Sequence, residues 1–182
     1  MSILTQKTVL KKISLDGIGI HTGVKAHLDI LPANPNSGII FKRVDIEKNN
    51  IIIPTYNNVV DATLCTTISN DYGVKVSTIE HLMGALYGLG IDNAIIEINS
   101  QEIPIMDGSA KKFVESILQA GIHSSEVPIK IIKVEKQVEV TEGDKLISIN
   151  KSNVSLDIEF EIKYKNQFIN SQKNKVSVLK MT

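Results

Sequence analysis

The chain has 182 residues, 42% of them apolar, with twenty basic and twenty acidic side chains that cancel to a formal charge of zero. Such a chain packs one large domain or two small ones, is too apolar for disorder, and lacks the basic stripe of an electrostatic nucleic-acid binder. Cys65 is the only cysteine, which excludes an intrachain disulfide and a cysteine-based zinc site and fits a cytoplasmic location, and the sequence holds no signal-peptide apolar region and no run of membrane-spanning length.

In chain order, Lys7 to Leu15 reads as a strand with some alternation. Asp16-Gly17-Ile18-Gly19-Ile20-His21-Thr22-Gly23 follows. A dinucleotide cradle needs a helix after its glycines, whereas Val24 to Leu31 reads as a second strand. The glycine run is therefore expected to be an irregular hairpin connection. His21 at its tip is either an exposed loop histidine or a functional one. Pro32 to Ser37 reads as a turn, Gly38 to Val44 as a third strand, and Ile51 to Ile53 as a short edge strand in a polar, asparagine-rich stretch. Thr63-Leu64-Cys65-Thr66-Thr67-Ile68 is β-branched and strand-like. Cys65 within it reads as a small buried hydrophobe rather than a nucleophile. Asn70 to Gly73 makes a turn.

Ser77-Thr78-Ile79-Glu80-His81-Leu82-Met83-Gly84-Ala85-Leu86 reads as the first turns of a helix. Ser77 is an N-cap candidate and Glu80 stands three residues on, which makes a capping box. Ile79, Leu82, Met83 and Leu86 share one helical face, and His81 falls roughly opposite, beside Gly84, Ala85 and Gly88. The helix is expected to bury its aliphatic side and to offer a Glu, a His and very small residues on the other. Glu80 either closes the capping box or does chemistry. The residue four after His81 is Ala85, so this is not the two-histidine metalloprotease helix, and a metal here needs ligands from elsewhere. The helix stops near Gly88 or Gly90, and Ile91 to Ile98 reads as a strand. A second helix, Ala110 to Ala120, follows Glu102-Ile103-Pro104-Ile105-Met106-Asp107-Gly108-Ser109. Asp107 or Ser109 caps it, Phe113, Val114, Ile117 and Leu118 face inward, and Gly121 ends it. The fold class is α+β: a two-layer α/β sandwich over residues 1–126.

Ser124 to Pro128 reads as a linker, and residues 127–182 as the strand-rich start of a second, incomplete sandwich domain. Val154, Leu156, Ile158, Phe160, Ile162 and Tyr164 alternate strictly with polar residues. From Lys165 on, the pattern dies into a lysine- and asparagine-rich tail. An alternating sheet with no covering helix exposes an apolar face. The expectation is a truncated chain, or a partner chain that covers this face.

The runs Gly17 to Gly23, Thr63 to Thr67, Ser77 to Leu82, Gly90 to Asn93 and Glu102 to Ser109 together resemble the UDP-3-O-acyl-N-acetylglucosamine deacetylases, zinc amidohydrolases of bacterial lipid A synthesis. The resemblance implies two α/β sandwich domains with a site between them, a Zn2+ cofactor and a UDP-sugar lipid precursor as substrate. It implies His81 as one zinc ligand, Glu80 as general base, and His21, Cys65 and Asp107 at or near the cleft. It also marks a departure. The family's other zinc ligands come from a His-x-x-x-Asp turn, and the residues four after His21, His27, His81 and His123 are Lys25, Leu31, Ala85 and Val127. The family's general-acid His and oxyanion Thr have no counterpart within these residues. The resemblance thus implies a deacetylase by descent, with a truncated, inactive fragment or a partner-binding module as the alternatives for this chain alone.

Overall fold

A computed structural model describes residues 4–152, 156–166 and 168–178, which divide into a unit ending at Ile129 and a unit beginning at Lys130. The first unit contains strands β1 (Thr5–Val9), β2 (Ile13–Ile18), β3 (Lys25–Pro32), β4 (Ile39–Arg43), β5 (Ile51–Ile52), β6 (Val59–Asp61), β7 (Thr67–Ser69) and β8 (Lys75–Val76). Helix α1 (Glu80–Gly88), strand β9 (Ala94–Ile98), helix α2 (Lys111–Ala120) and strand β10 (Ile122–Pro128) complete it. Mixed sheets with two helices make this an α+β fold.

The main sheet has the order β2-β3-β9-β4-β5, antiparallel throughout except for the parallel pair β4–β9. The register places Leu28 opposite Ile98 and Ile30 opposite Ile96, with Phe41 on the other side of Ile96 and Ile52 opposite Phe41. With side chains alternating across a strand, these residues make one apolar face, and all are fully buried. Leu82 and Leu86 of α1 and Phe113 and Ile117 of α2 join the same core. The opposite face of the sheet is polar. There Lys42 pairs with Glu97 at 2.7 Å, Lys12 with Asp29 at 2.8 Å, and His27 lies between Asp16 and Asp29. The Asp16 carboxylate on the ring nitrogen, against a partial cost of desolvation, holds His27 above the usual histidine range. A second, three-stranded sheet has the order β6-β7-β8.

Several sequence expectations change. The single strand expected over Lys7 to Leu15 is two, broken where the Leu10 N–H turns to the Gly121 carbonyl at 2.8 Å. The strand expected from Thr63 begins only at Thr67, because Asp61 Oδ1 accepts the Thr63 N–H and hydroxyl and holds the chain in a turn. Ala85 is buried rather than on the open face of α1, and Leu118 is 57% exposed rather than inward. The stretch read as a linker, Ser124 to Pro128, is part of β10 and pairs antiparallel with β1.

The second unit contains two antiparallel hairpins: β11 (Val138–Glu142) with β12 (Lys145–Ile149), and β13 (Leu156–Lys163) with β14 (Ser171–Val178). Strand β14 lies in the polar tail, where the apolar alternation has ended. Its lysines face the glutamates of β13: Glu159 is opposite Lys175, Glu161 opposite Lys173, and Lys173 pairs with Glu159 at 2.6 Å. Cross-strand charge pairing of this kind supports a strand that lacks apolar alternation. Val154, read as part of the alternating strand, lies outside the described residues.

The Gly90 to Asn93 run has a structural task. Buried Asn93 accepts the Gly38 N–H at 3.0 Å and donates to Gln6 Oε1 at 3.0 Å, while Asp92 accepts the Lys7 N–H at 2.8 Å. This ties β1 to the start of β4. Replacing Asn93 with Ala leaves the part-buried Gly38 N–H unpaired and removes one of the two donors to Gln6 Oε1, which keeps the Asn36 N–H, so the first unit should lose about 1–2 kcal/mol, read by urea unfolding followed through the amide signals of β3 and β9.

Candidate functional site

The candidate residues sit on four segments, and their meeting point is Glu102. This side chain has no exposed surface and no cation beside it among the described residues. Its Oε1 accepts the His21 N–H at 3.0 Å and the Thr78 hydroxyl at 2.9 Å; its Oε2 accepts the Thr22 N–H at 2.8 Å and the Thr22 hydroxyl at 2.7 Å. Burial pushes the carboxyl up, but the hydrogen bonds from His21, Thr22 and Thr78 outweigh it and hold Glu102 below the usual glutamate range. A carboxylate that accepts several donors at once keeps its charge without a counter-ion.

The glycine run is shaped around that carboxylate. The Gly19 N–H donates to the Val24 carbonyl at 3.0 Å and the Gly23 N–H to the Gly19 carbonyl at 2.9 Å, which closes the β2–β3 turn. A Cβ at Gly19 would fall on the Glu102 carboxylate and the Thr22 hydroxyl, so no larger residue fits. The result is an irregular hairpin connection, and His21 is exposed on it.

The entry to α1 differs from the expected capping box. Ser77 does not cap the helix: its N–H and hydroxyl both donate to the Gln101 carbonyl, at 2.9 and 3.1 Å. Thr78, 2% exposed, has φ +58°, a left-handed conformation that costs a β-branched residue energy. That kink turns the chain into the helix. Ile79 stands at the N-cap with no side-chain cap bond, and Glu80 is the first helical residue. The Glu80 side chain therefore points away from its own N-cap, and its Oε2 accepts the Thr66 N–H at 3.0 Å. Thr66 in turn accepts the Ile79 N–H at 3.5 Å. The other Glu80 oxygen makes no hydrogen bond to the described residues.

Cys65 directly precedes Thr66, and its Sγ lies 3.8 Å from the Thr67 hydroxyl. It is half-buried rather than in the core. His81, the second residue of α1, is half-buried, and its ring hydrogen-bonds no described residue. Asp107 stands apart from the other candidates. It is exposed and accepts the Ser109 N–H at 3.1 Å and hydroxyl at 2.9 Å, and Ser109 Oγ then accepts the Lys111 N–H at 3.1 Å. The cap of α2 is thus made by Ser109, with Asp107 behind it. The Ser109 hydroxyl, more than any charge, holds the Asp107 carboxyl below its usual range.

The structure thus links His21, Thr78 and, through Thr78, Glu80 around Glu102, and links Glu80 to the Cys65 segment through Thr66. Glu102 is the residue that sequence reasoning missed. It was visible as the first residue of one matching run, but nothing in its spacing marked it as buried. Among the described residues no group of three or more His, Cys, Asp or Glu side chains is arranged to hold a metal ion, so the described residues do not close a zinc site around His81. No described helix is long and apolar enough to cross a membrane.

The α+β fold thus sets a directed Glu80 carboxylate and the half-buried His81 in the first turn of one helix. The family model described as UDP-3-O-acyl N-acetylglycosamine deacetylase matches residues 6–182, and the chain belongs to that family. It is similar to UDP-3-O-acyl-N-acetylglucosamine deacetylases of Haemophilus ducreyi (40% identical over 167 residues, 92% of this chain and 55% of the relative). The same holds for those of Shewanella baltica (46% over 143 residues, 79% and 47%) and Actinobacillus succinogenes (42% over 161 residues, 87% and 53%). The chain spans about half the length of these curated relatives.

Glu102 contributes stability above the usual glutamate range that is lost as pH falls through its lowered folded-state value, because the unfolded chain takes up the proton first. Replacing Glu102 with Gln turns an acceptor into a donor facing donors. It should cost about 2–3 kcal/mol at neutral pH and flatten the acid limb of the stability profile, measured by urea unfolding between pH 3 and 7 (about the range in which carboxylates titrate).

Proposed function

We propose that this chain carries the proton-accepting carboxylate and one metal donor of a deacetylase acting on UDP-3-O-acyl-N-acetylglucosamine in cytoplasmic lipid A synthesis. Family membership supports the substrate class. The observation that carries the chemistry is the direction of Glu80: one oxygen is anchored on the Thr66 N–H and the other has no described partner.

A base held this way has a fixed position and an open lone pair. Water attacks the carbonyl carbon of the N-acetyl group and gives its proton to the open Glu80 oxygen. The C–N bond of the tetrahedral adduct breaks, acetate leaves, and the amine nitrogen takes a proton. The charge on Glu102 is saturated by its four donors, so it does not compete for that proton. Zinc, implied by the resemblance, is proposed with His81 as the donor from the described residues. A catalytic zinc takes about three protein ligands and a water, so donors beyond the described residues are required.

With zinc supplied, acetate release from this substrate should fall about 10²- to 10⁴-fold in Glu80→Gln; unchanged release would show that Glu80 is not the base. After exhaustive dialysis the chain should retain far less than one zinc, and a full equivalent that His81→Ala fails to release would sink the ligand assignment.

A second reading, in which the chain is inactive alone and docks a partner chain, is favoured by the second unit. Its hairpins leave Val140 60%, Ile147 72% and Phe160 57% exposed, more apolar surface than a soluble monomer ordinarily shows. This reading predicts a stable complex with another polypeptide, and a well-behaved monomer by light scattering at high concentration counts against it.

A further inference from the structure

We propose that Glu102 is a positioning residue that sets the direction of the Glu80 carboxylate; the proposal rests on the reading of Glu80 as the proton acceptor. Only Ile79 separates Thr78 from Glu80, and Thr78 is where the path of the chain is decided. Its left-handed backbone is unfavourable for threonine, so something must hold it there. The hydroxyl of Thr78 donates to Glu102 Oε1 in a fully buried setting. On one side the Ser77 N–H and the Ile103 N–H bond reciprocally across to Gln101 and Ser77, at 2.9 and 3.1 Å, so the segment enters Thr78 extended and parallel to Glu102. On the other side the chain leaves Thr78 directly into the first turn of α1. A right-handed Thr78 would begin the helix two residues earlier and return Glu80 to a capping box with Ser77. The left-handed one sends Glu80 to Thr66.

Glu102 itself cannot shift to follow Thr78. Its other oxygen is held by the Thr22 N–H and hydroxyl, its first oxygen is shared with the His21 N–H, and Gly19 packs against the carboxylate. The anchor of the kink is therefore the β2–β3 turn, on the rigid main sheet. The same carboxylate fixes the backbone that carries His21, so the positions of His21 and Glu80 are set by one charge.

The test is the amide proton of Thr66 in the 182-residue chain, followed by NMR against pH. An amide hydrogen-bonded to a carboxylate shifts as that carboxylate titrates, and loss of the Thr66 titration in Glu80→Gln assigns it to Glu80. In Glu102→Gln and in Thr78→Val the Thr66 titration should be lost while the amides of Leu28, Ile30 and Ile96 keep their shifts; in Thr78→Ser, which keeps the hydroxyl, it should persist. A residue important only for stability would leave the Thr66 titration in place wherever the chain stays folded. If Glu102→Gln does not fold, Thr78→Val decides. A Thr66 titration that survives in folded Thr78→Val, or that does not depend on Glu80 in the parent chain, overturns the proposal. None of these readouts depends on acetate release, so failure of the deacetylase reading would be seen separately, as unchanged release in Glu80→Gln.

Discussion

A carboxylate buried without a counter-ion is among the most demanding groups a fold can contain, and Glu102 is tolerated only because four donors meet it. That condition works in both directions. The donors come from the β2–β3 turn and from the approach to α1, so the carboxylate is stable only when those two segments are in place. Each segment is in turn irregular: one is a glycine-rich turn with no room for a Cβ at Gly19, the other a threonine with positive φ. The glycines permit the first shape, whereas a β-branched threonine disfavours the second. They are stable together, around the charge.

This is why the site was only half legible in the sequence. The alternation and β-branching of the sheet strands, the asparagine turn at Asn70 to Gly73 and the glycine ends of both helices follow from local rules, and those elements stand where expected. The capping box at Ser77 and Glu80 also follows from a local rule, and there the rule fails. The spacing fits, but Ser77 is drawn into backbone pairing with Gln101, and Thr78 is held in a conformation no propensity scale favours. Glu102 was hidden for the complementary reason. A glutamate between Gln101 and Ile103 looks like a loop charge until its partners, Thr78 at 24 positions and His21 and Thr22 at 81 and 80, are brought to it. Asp107 and Ser109 show the opposite case, two residues legible as elements of a helix start, where Ser109 accepts the Lys111 N–H and Asp107 supports Ser109.

The family resemblance and the physical reading meet at different residues. Of the five matching runs, three hold Glu102 or its donors and a fourth, Thr63 to Thr67, anchors Glu80, while Gly90 to Asn93 serves the core by tying β1 to β4. A matching run is therefore not by itself a mark of chemistry. In the second unit the apolar alternation of β13 was visible and its partner was not. The lysines that end the apolar pattern in the tail are the side chains that face the glutamates of β13.

The parallel pairing of β4 with β9 has a consequence for how the site is made. Two parallel neighbours cannot be joined by a tight turn, so the chain between Arg43 and Ala94 must leave the sheet and return. The three-stranded sheet, the Thr66 segment and α1 all lie in that excursion. Glu80 therefore rides on a crossover whose two ends are tied to the sheet, and its anchor to Glu102 closes only after the return strand has docked. Contacts of such long range form late in folding, because loop-closure entropy precedes any gain from them. The geometry around Glu80 and Glu102 is thus a product of completed topology, and a chain arrested before β9 pairs would hold both residues without bringing them together.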